Sequence, residues 1–160
     1  MIKRSWTAAT NDELLEMPAH DQWMLSEECS LVDYQLTIPI LVEKTLIDDD
    51  YQINVRPVWW RFIYYKYCIP RYRAFLKISN VVSYDVLDDS KIGGATMRGI
   101  SIVENTVVIE GIEDVKVSAK VTSPEIAIEA SDEIVDYITY SVLFSRIYFG
   151  SHGKEICREQ

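Results

Sequence analysis

Histidine is almost missing from this chain, which holds only His20 and His152. Nucleophilic and general acid–base centres usually lean on a side chain that titrates near neutral pH, and histidine is the common choice. Neither His20 with Cys29 nor His152 with Cys157 is spaced to bring the pair into contact on one element. Both histidines read as exposed residues near the ends. Cysteine is equally sparse: Cys29, Cys68 and Cys157 are odd in number, lack the paired spacing of a zinc site, and fit a reducing cytosol with thiols left free. Glycine is scarce too, and its one doublet, Gly93-Gly94, leads into a β pattern. A phosphate cradle would need a strand-to-helix junction there, so the doublet reads as a hairpin or bulge loop. Long apolar runs are absent because Arg61, Lys66, Arg71 and Arg73 interrupt the most hydrophobic region, and the basic start MIKRSW has no apolar stretch behind it. The expectation is a soluble, non-exported, non-enzymatic protein with no metal and no cofactor.

What the chain has in excess is acid. Its 25 acidic residues outweigh 16 basic ones for a net charge of -9. A field of that sign repels phosphate backbones and steers cationic partners in, which argues against nucleic acid and for a basic protein partner. The charge is also segregated. From Tyr51 to Tyr84 there is no acidic residue, while Arg56, Arg61, Lys66, Arg71, Arg73 and Lys77 lie there; the rest holds ten basic residues against all 25 acids, a balance of -15.

The hydrophobic patterning is mostly that of strands. Thr10-Asn11-Asp12-Glu13 has the form of a capping box and opens a helix of about two turns that Pro18 stops. From there the period is two: Val32, Tyr34, Leu36, Ile38, Ile40 and Val42 predict one strand with a buried face, and Asp48, Asp49 and Asp50 the turn that follows. Those three aspartates lack the central glycine and closing glutamate of a calcium loop. Further strands are predicted at Tyr72–Ile78, Gly99–Val103, Thr106–Glu110 and Val115–Val121, with DDSKIGG as a turn and Ser123-Pro124 as a break. Asp132–Phe149 reads as a long strand with a helical alternative capped by Ser131. No linker or repeat appears, so residues 1–160 are expected to form a single domain. Its predicted fold class is α+β, predominantly β, with an antiparallel sheet (sandwich or open barrel) and a short N-terminal helix.

The segment PVWWRFIYYKYCIPRYRAFLKI combines aromatics with positive charge, as a single-strand nucleic-acid grip does. Such a grip needs its aromatics on one face. Here Val58, Trp60, Phe62 and Tyr64 alternate with Trp59, Ile63, Tyr65 and Tyr67, so both faces are apolar, and one-faced alternation starts only after Pro70. The pattern predicts a central strand covered on both sides, or one whose second face meets a partner.

The stretches RAFLKISNVVSYDVLDDSKIGG and ISIVENTVVIEGIEDVKVSAKV, within Arg73 to Val121, resemble in style the small acidic immunity proteins of bacterial toxin and antitoxin systems, contact-dependent growth inhibition included. The resemblance implies a cytoplasmic protein that binds and blocks a cognate toxin, often a basic nuclease. It carries no shared motif, so no residue role transfers. Independently, a tight inhibitor of a basic protein needs carboxylates for steering and aromatic anchors for residence time. The candidates are Asp48, Asp49, Asp50, Tyr51, Tyr84, Asp88, Asp89, Glu110, Glu113 and Asp114. Two rivals are a small-ligand β-barrel using the aromatics from Trp59 to Tyr72 as its pocket, and a subunit of a larger assembly.

Overall fold

The computed structural model describes residues 4–51, 55–59, 64–89, 91–112, 114–143 and 146–152. Its strands are β1 (Ser5–Ala8), β2 (Trp23–Met24), β3 (Ser30–Val32), β4 (Gln35–Glu43), β5 (Val55–Trp59), β6 (Tyr64–Ile78), β7 (Val81–Asp88), β8 (Ala95–Val103), β9 (Thr106–Gly111), β10 (Val115–Val121), β11 (Ile126–Leu143) and β12 (Arg146–His152). Two helices of one turn each, α1 (Asn11–Leu14) and α2 (Lys44–Ile47), and a 3-10 turn at Ser26–Glu28 complete it. The fold is predominantly β, with every paired strand antiparallel.

The ladder runs β1-β11-β6-β4-β2-β8-β9-β10-β7, with β12 on β11, β3 on β4 and β5 on β6. β8 joins two halves: Ala95 and Thr96 pair with β2, and Met97 to Val103 pair with β9. The inward faces of both halves merge in one core, in which Leu36, Ile38, Ile40, Leu76, Ile78, Ile109, Val117, Ile126 and Ile128 are wholly buried. The chain crosses between the halves twice, after β6 and after β10, and the crossings are stitched together. Thr122 N–H donates to Asn80 O at 3.0 Å, Ser79 N–H to Glu125 O at 2.9 Å, and Asn80 Nδ2 to Ser123 Oγ at 3.1 Å. Pro39 sits mid-strand in β4 without disrupting it. Its carbonyl accepts Leu25 N–H on the side where β3 has ended and β2 begins only at Ile40, so no ladder partner needs the missing N–H.

Local expectations are met where the period is clean. The capping box is present: Glu13 N–H donates to Thr10 Oγ1, and the Glu13 carboxylate accepts Ala9 and Thr10 N–H at 2.7 and 3.1 Å, which holds its pKa below the usual carboxylate value. The helix has one turn rather than two. β10 and the second half of β6 bury alternate residues as predicted, with Ala74, Leu76 and Ile78 buried while Arg73 and Lys77 are not; in β4 Leu36, Ile38, Ile40 and Val42 are buried as predicted, but Pro39 and Leu41 are buried too, so from Ile38 to Val42 both faces are covered.

Four expectations are corrected. Val32 and Tyr34 do not continue the β4 face. Asp33 (φ 49°) and Tyr34 (φ 61°) form a hairpin turn between β3 and β4, leaving Val32 and Tyr34 64% and 75% exposed. The aromatic segment is not one strand either: β5 and β6 pair with each other, Trp59 opposite Tyr64, so an apparent two-faced alternation was read across a reversal. Residues 60–63 lie outside the described residues. Asp132–Phe149 is β, as favoured, but it divides between β11 and β12, which pair from Leu143–Arg146 to Tyr137–His152. Cys29 is a free thiol whereas Cys68 is disulfide-bonded, so the thiols are not all free; Cys157 lies outside the described residues.

Candidate functional site

Three of the predicted acids meet. A surface cleft of about 340 Å³ is lined by Leu87, Asp89, Arg98, Glu110, Gly111, Asp114, Val115 and Lys116, contributed by the ends of β7, β9 and β10 and the bulge of β8. The antiparallel ladder explains why: Val115 pairs with Asp88 and Lys116 with both Leu87 and Glu110, so residues far apart in sequence stand side by side. Asp114 closes the β9–β10 turn in the left-handed region at φ 56°, a conformation short Asp side chains tolerate. Gly111 is required below the cleft, since a Cβ there would lie 2.7 Å from Ala95 Cβ.

Two cations share the cleft. The β8–β9 register shifts between Met97 and Gly99, so Arg98 is the extra residue of a bulge and its exposed side chain is turned into the cleft. Lys116 Nζ is 4.0 Å from Glu110 Oε1, both side chains half exposed, a pair that contributes little to stability. The lining is thus three carboxylates to two cations beside exposed Leu87. Such a surface suits a charged protein segment with an apolar contact, and it holds no nucleophile beside a base. Sequence reasoning missed Leu87, Arg98 and Lys116; only Gly99, breaking a strand pattern, hinted at the bulge.

The other candidates divide. Asp88 is consumed by structure: it accepts Ser26 Oγ–H at 3.0 Å, Lys91 N–H at 2.9 Å and Gly93 N–H at 3.3 Å, tying the β7–β8 loop down. Gly93 suits that loop because its φ of 81° lies in the left-handed region that L side chains rarely adopt. Tyr84 stands opposite Ala119 on β7, 37% exposed. Asp48, Asp49, Asp50 and Tyr51 follow α2, which packs on β4 and β6, so they form a second group on the other half of the sheet. There Tyr51 donates to Cys68 O at 3.4 Å and Lys44 Nζ lies 4.7 Å from the Tyr51 ring centre; partial burial raises the Tyr51 pKa. Glu113 lies outside the described residues.

His20 is exposed, its Nδ1 2.8 Å from the carboxylate of its neighbour Asp21, and burial pushes the Cys29 thiol up to about 11, so it is a poor nucleophile at neutral pH. Among the described residues no group of three His, Cys, Asp or Glu could hold a metal ion. No helix among them is long and apolar enough to cross a membrane. The aromatic pocket suggested for Trp59 to Tyr72 falls largely outside what the structure describes; Tyr72 itself packs against the core. No family model, curated protein or solved structure matches this chain.

Proposed function

We propose that this chain is a non-enzymatic binding protein that neutralises a basic protein partner, as an immunity protein neutralises its toxin. The observation that carries the reading is the convergence of Asp89, Glu110 and Asp114 on one cleft beside exposed Leu87, in a chain of net charge -9. Carboxylates set at a rim steer a cationic partner by long-range attraction, while apolar contact between them slows its departure. Arg98 and Lys116 fit the same role by pairing with acids of the partner and rejecting a uniformly cationic surface of the wrong shape.

The partner is to be recovered by co-purification from the native cell and its association measured by stopped flow. Its on-rate should fall by about tenfold or more as ionic strength rises from low to molar salt, because the Debye length shrinks from about 30 Å to about 3 Å over such a range. Asp89→Asn with Glu110→Gln and Asp114→Asn should flatten that dependence. An on-rate indifferent to salt, or an acidic partner, would sink the proposal. The compartment we propose is the cytoplasm. Against it stands the disulfide at Cys68, a bond that reducing compartments seldom maintain, so the redox state of Cys68 in intact native cells decides the point.

A further inference from the structure

β7 ends the sheet. It pairs with β10 along one edge, and among the described residues no strand pairs with the other. Proteins commonly protect such edges with Lys, Pro, a mid-strand bulge or very short length. VVSYDVLD has eight residues, no Lys and no Pro, and its one register shift lies at the start, so Ser83 to Asp88 run in unbroken register. Val82, Tyr84 and Leu87 are 62%, 37% and 48% exposed.

Both ends of this edge open into clefts. Leu87 enters the acid-rimmed cleft described above. Val82 lines another of about 340 Å³ with Asp33, Tyr34 and Asn80. Tyr34 is held in the left-handed region, where a large side chain is disfavoured, by its carbonyl accepting Val81 N–H at 2.8 Å, and its ring is left 75% exposed. An aromatic kept in water at a conformational cost, at the mouth of a free strand edge, is a contact point awaiting a partner.

We propose that β7 is a docking edge that accepts an extended cationic segment of the partner as an added strand, a proposal that rests on the basic-partner reading above. Charge selects the occupant. Asp85 stands mid-strand, and Asp33, Asp89 and Asp114 flank the ends, while Lys116 and Lys120 lie one strand further in, opposite Leu87 and Ser83. A second copy of the chain would bring another net charge of -9 against the same acids. A cationic strand instead gains main-chain hydrogen bonds for affinity, and the carboxylates of Asp85 at mid-strand and of Asp33, Asp89 and Asp114 at the ends for selection. The docked segment spans about 3.3 Å per residue.

The test uses the full chain and a capped octapeptide of alternating lysine and valine, with amide hydrogen exchange as readout. The peptide should slow exchange from Val82 to Leu87 by about tenfold or more. The same peptide N-methylated at alternate residues, which cannot pair, should have no effect, and Val82→Lys with Asp85→Lys, both exposed positions that do not stand opposite a lysine, should abolish protection without loss of stability. Binding without protection of β7, insensitive to N-methylation, would overturn strand addition and leave the basic-partner reading standing. Protection given equally by a glutamate–valine peptide would overturn the charge selection and that reading with it. Protection that grows with protein concentration in the absence of peptide would assign the edge to a second copy and overturn the proposal.

Discussion

β6 and β7 are consecutive strands joined through Ser79-Asn80, and both are rich in apolar residues, yet they serve opposite ends. β6 has a neighbour on each edge, β11 on one and β4 with β5 on the other; among the described residues β7 pairs only with β10. Leu76 of β6 is wholly buried and Leu87 of β7 is 48% exposed. The same side chain is core in one strand and offered surface in the next. What differs is the number of paired edges, and with it whether a second layer can close over the residue.

The sharpest way to break this comparison is to truncate both leucines. Leu76→Ala should cost about 3–4 kcal/mol, as a buried aliphatic cavity does. Leu87→Ala should stay within about 0.5 kcal/mol, as exposed substitutions usually do. Urea midpoints at constant m-value would show it. Equal losses would mean that β7 is a structural strand and that its exposure has no bearing on binding.

The next test concerns what holds β6 in the middle. Arg71 of β6 forms a bidentate pair with Asp136 of β11, its Nε 2.6 Å from Oδ1, with side chains only 14% and 18% exposed. The pair sits where the β6–β11 register shifts twice, between Ala130 and Asp136, and there it substitutes for regular ladder contacts. Asp136→Ala removes the bidentate partner of a largely buried guanidinium and should cost about 3 kcal/mol, whereas the exposed Lys116–Glu110 pair should yield about 0–1 kcal/mol in a double-mutant cycle. A loss at Asp136 no larger than at Glu110 would show that the bulge is held by packing alone.

Much of this architecture was legible because alternation reports burial directly. Ala74 to Ile78 and Val115 to Val121 place their apolar set where period two predicts, and so do Leu36, Ile38, Ile40 and Val42, although β4 buries Pro39 and Leu41 on its other face as well. The misreadings come from reversals that alternation cannot see. Val32 and Tyr34 keep the parity of β4 while lying across a turn from it, and Tyr34 is not a residue whose type announces a positive φ. Trp59 and Tyr64 are register partners on two antiparallel strands that composition renders as one loud strand. The acids show the same limit: Asp48 to Asp50 and Asp88 to Asp89 are alike as text. Only the ladder brings Asp89 to Glu110 and Asp114, and only the loop's amides claim Asp88. β7 has little to report by alternation: Val81 is buried and Val86 packs against the core, while Val82 to Asp85 and Leu87 are exposed.

A smaller loss than at Leu76 or Asp136 is expected at the boundary of the comparison, where β7 ends. Asp88 is the residue that fixes this end, through Ser26 Oγ–H at 3.0 Å and the amides of Lys91 and Gly93. Asp88→Ala leaves those donors to water in a partly open loop, so the cost should be about 1–2 kcal/mol rather than that of a buried charge. Its consequence for binding should be larger than its consequence for stability. Leu87 and Asp89 flank it on either side, and both line the cleft, so loosening the loop spreads the carboxylates and the apolar contact that are meant to act together. Preorganisation lost in this way appears as faster dissociation with little change in the salt dependence of association. Measured beside Asp89→Asn, which should do the reverse, it separates the residue that positions the site from the residue that attracts the partner. If both substitutions altered association alike, β7 would be anchored elsewhere and Asp88 would be one more steering charge.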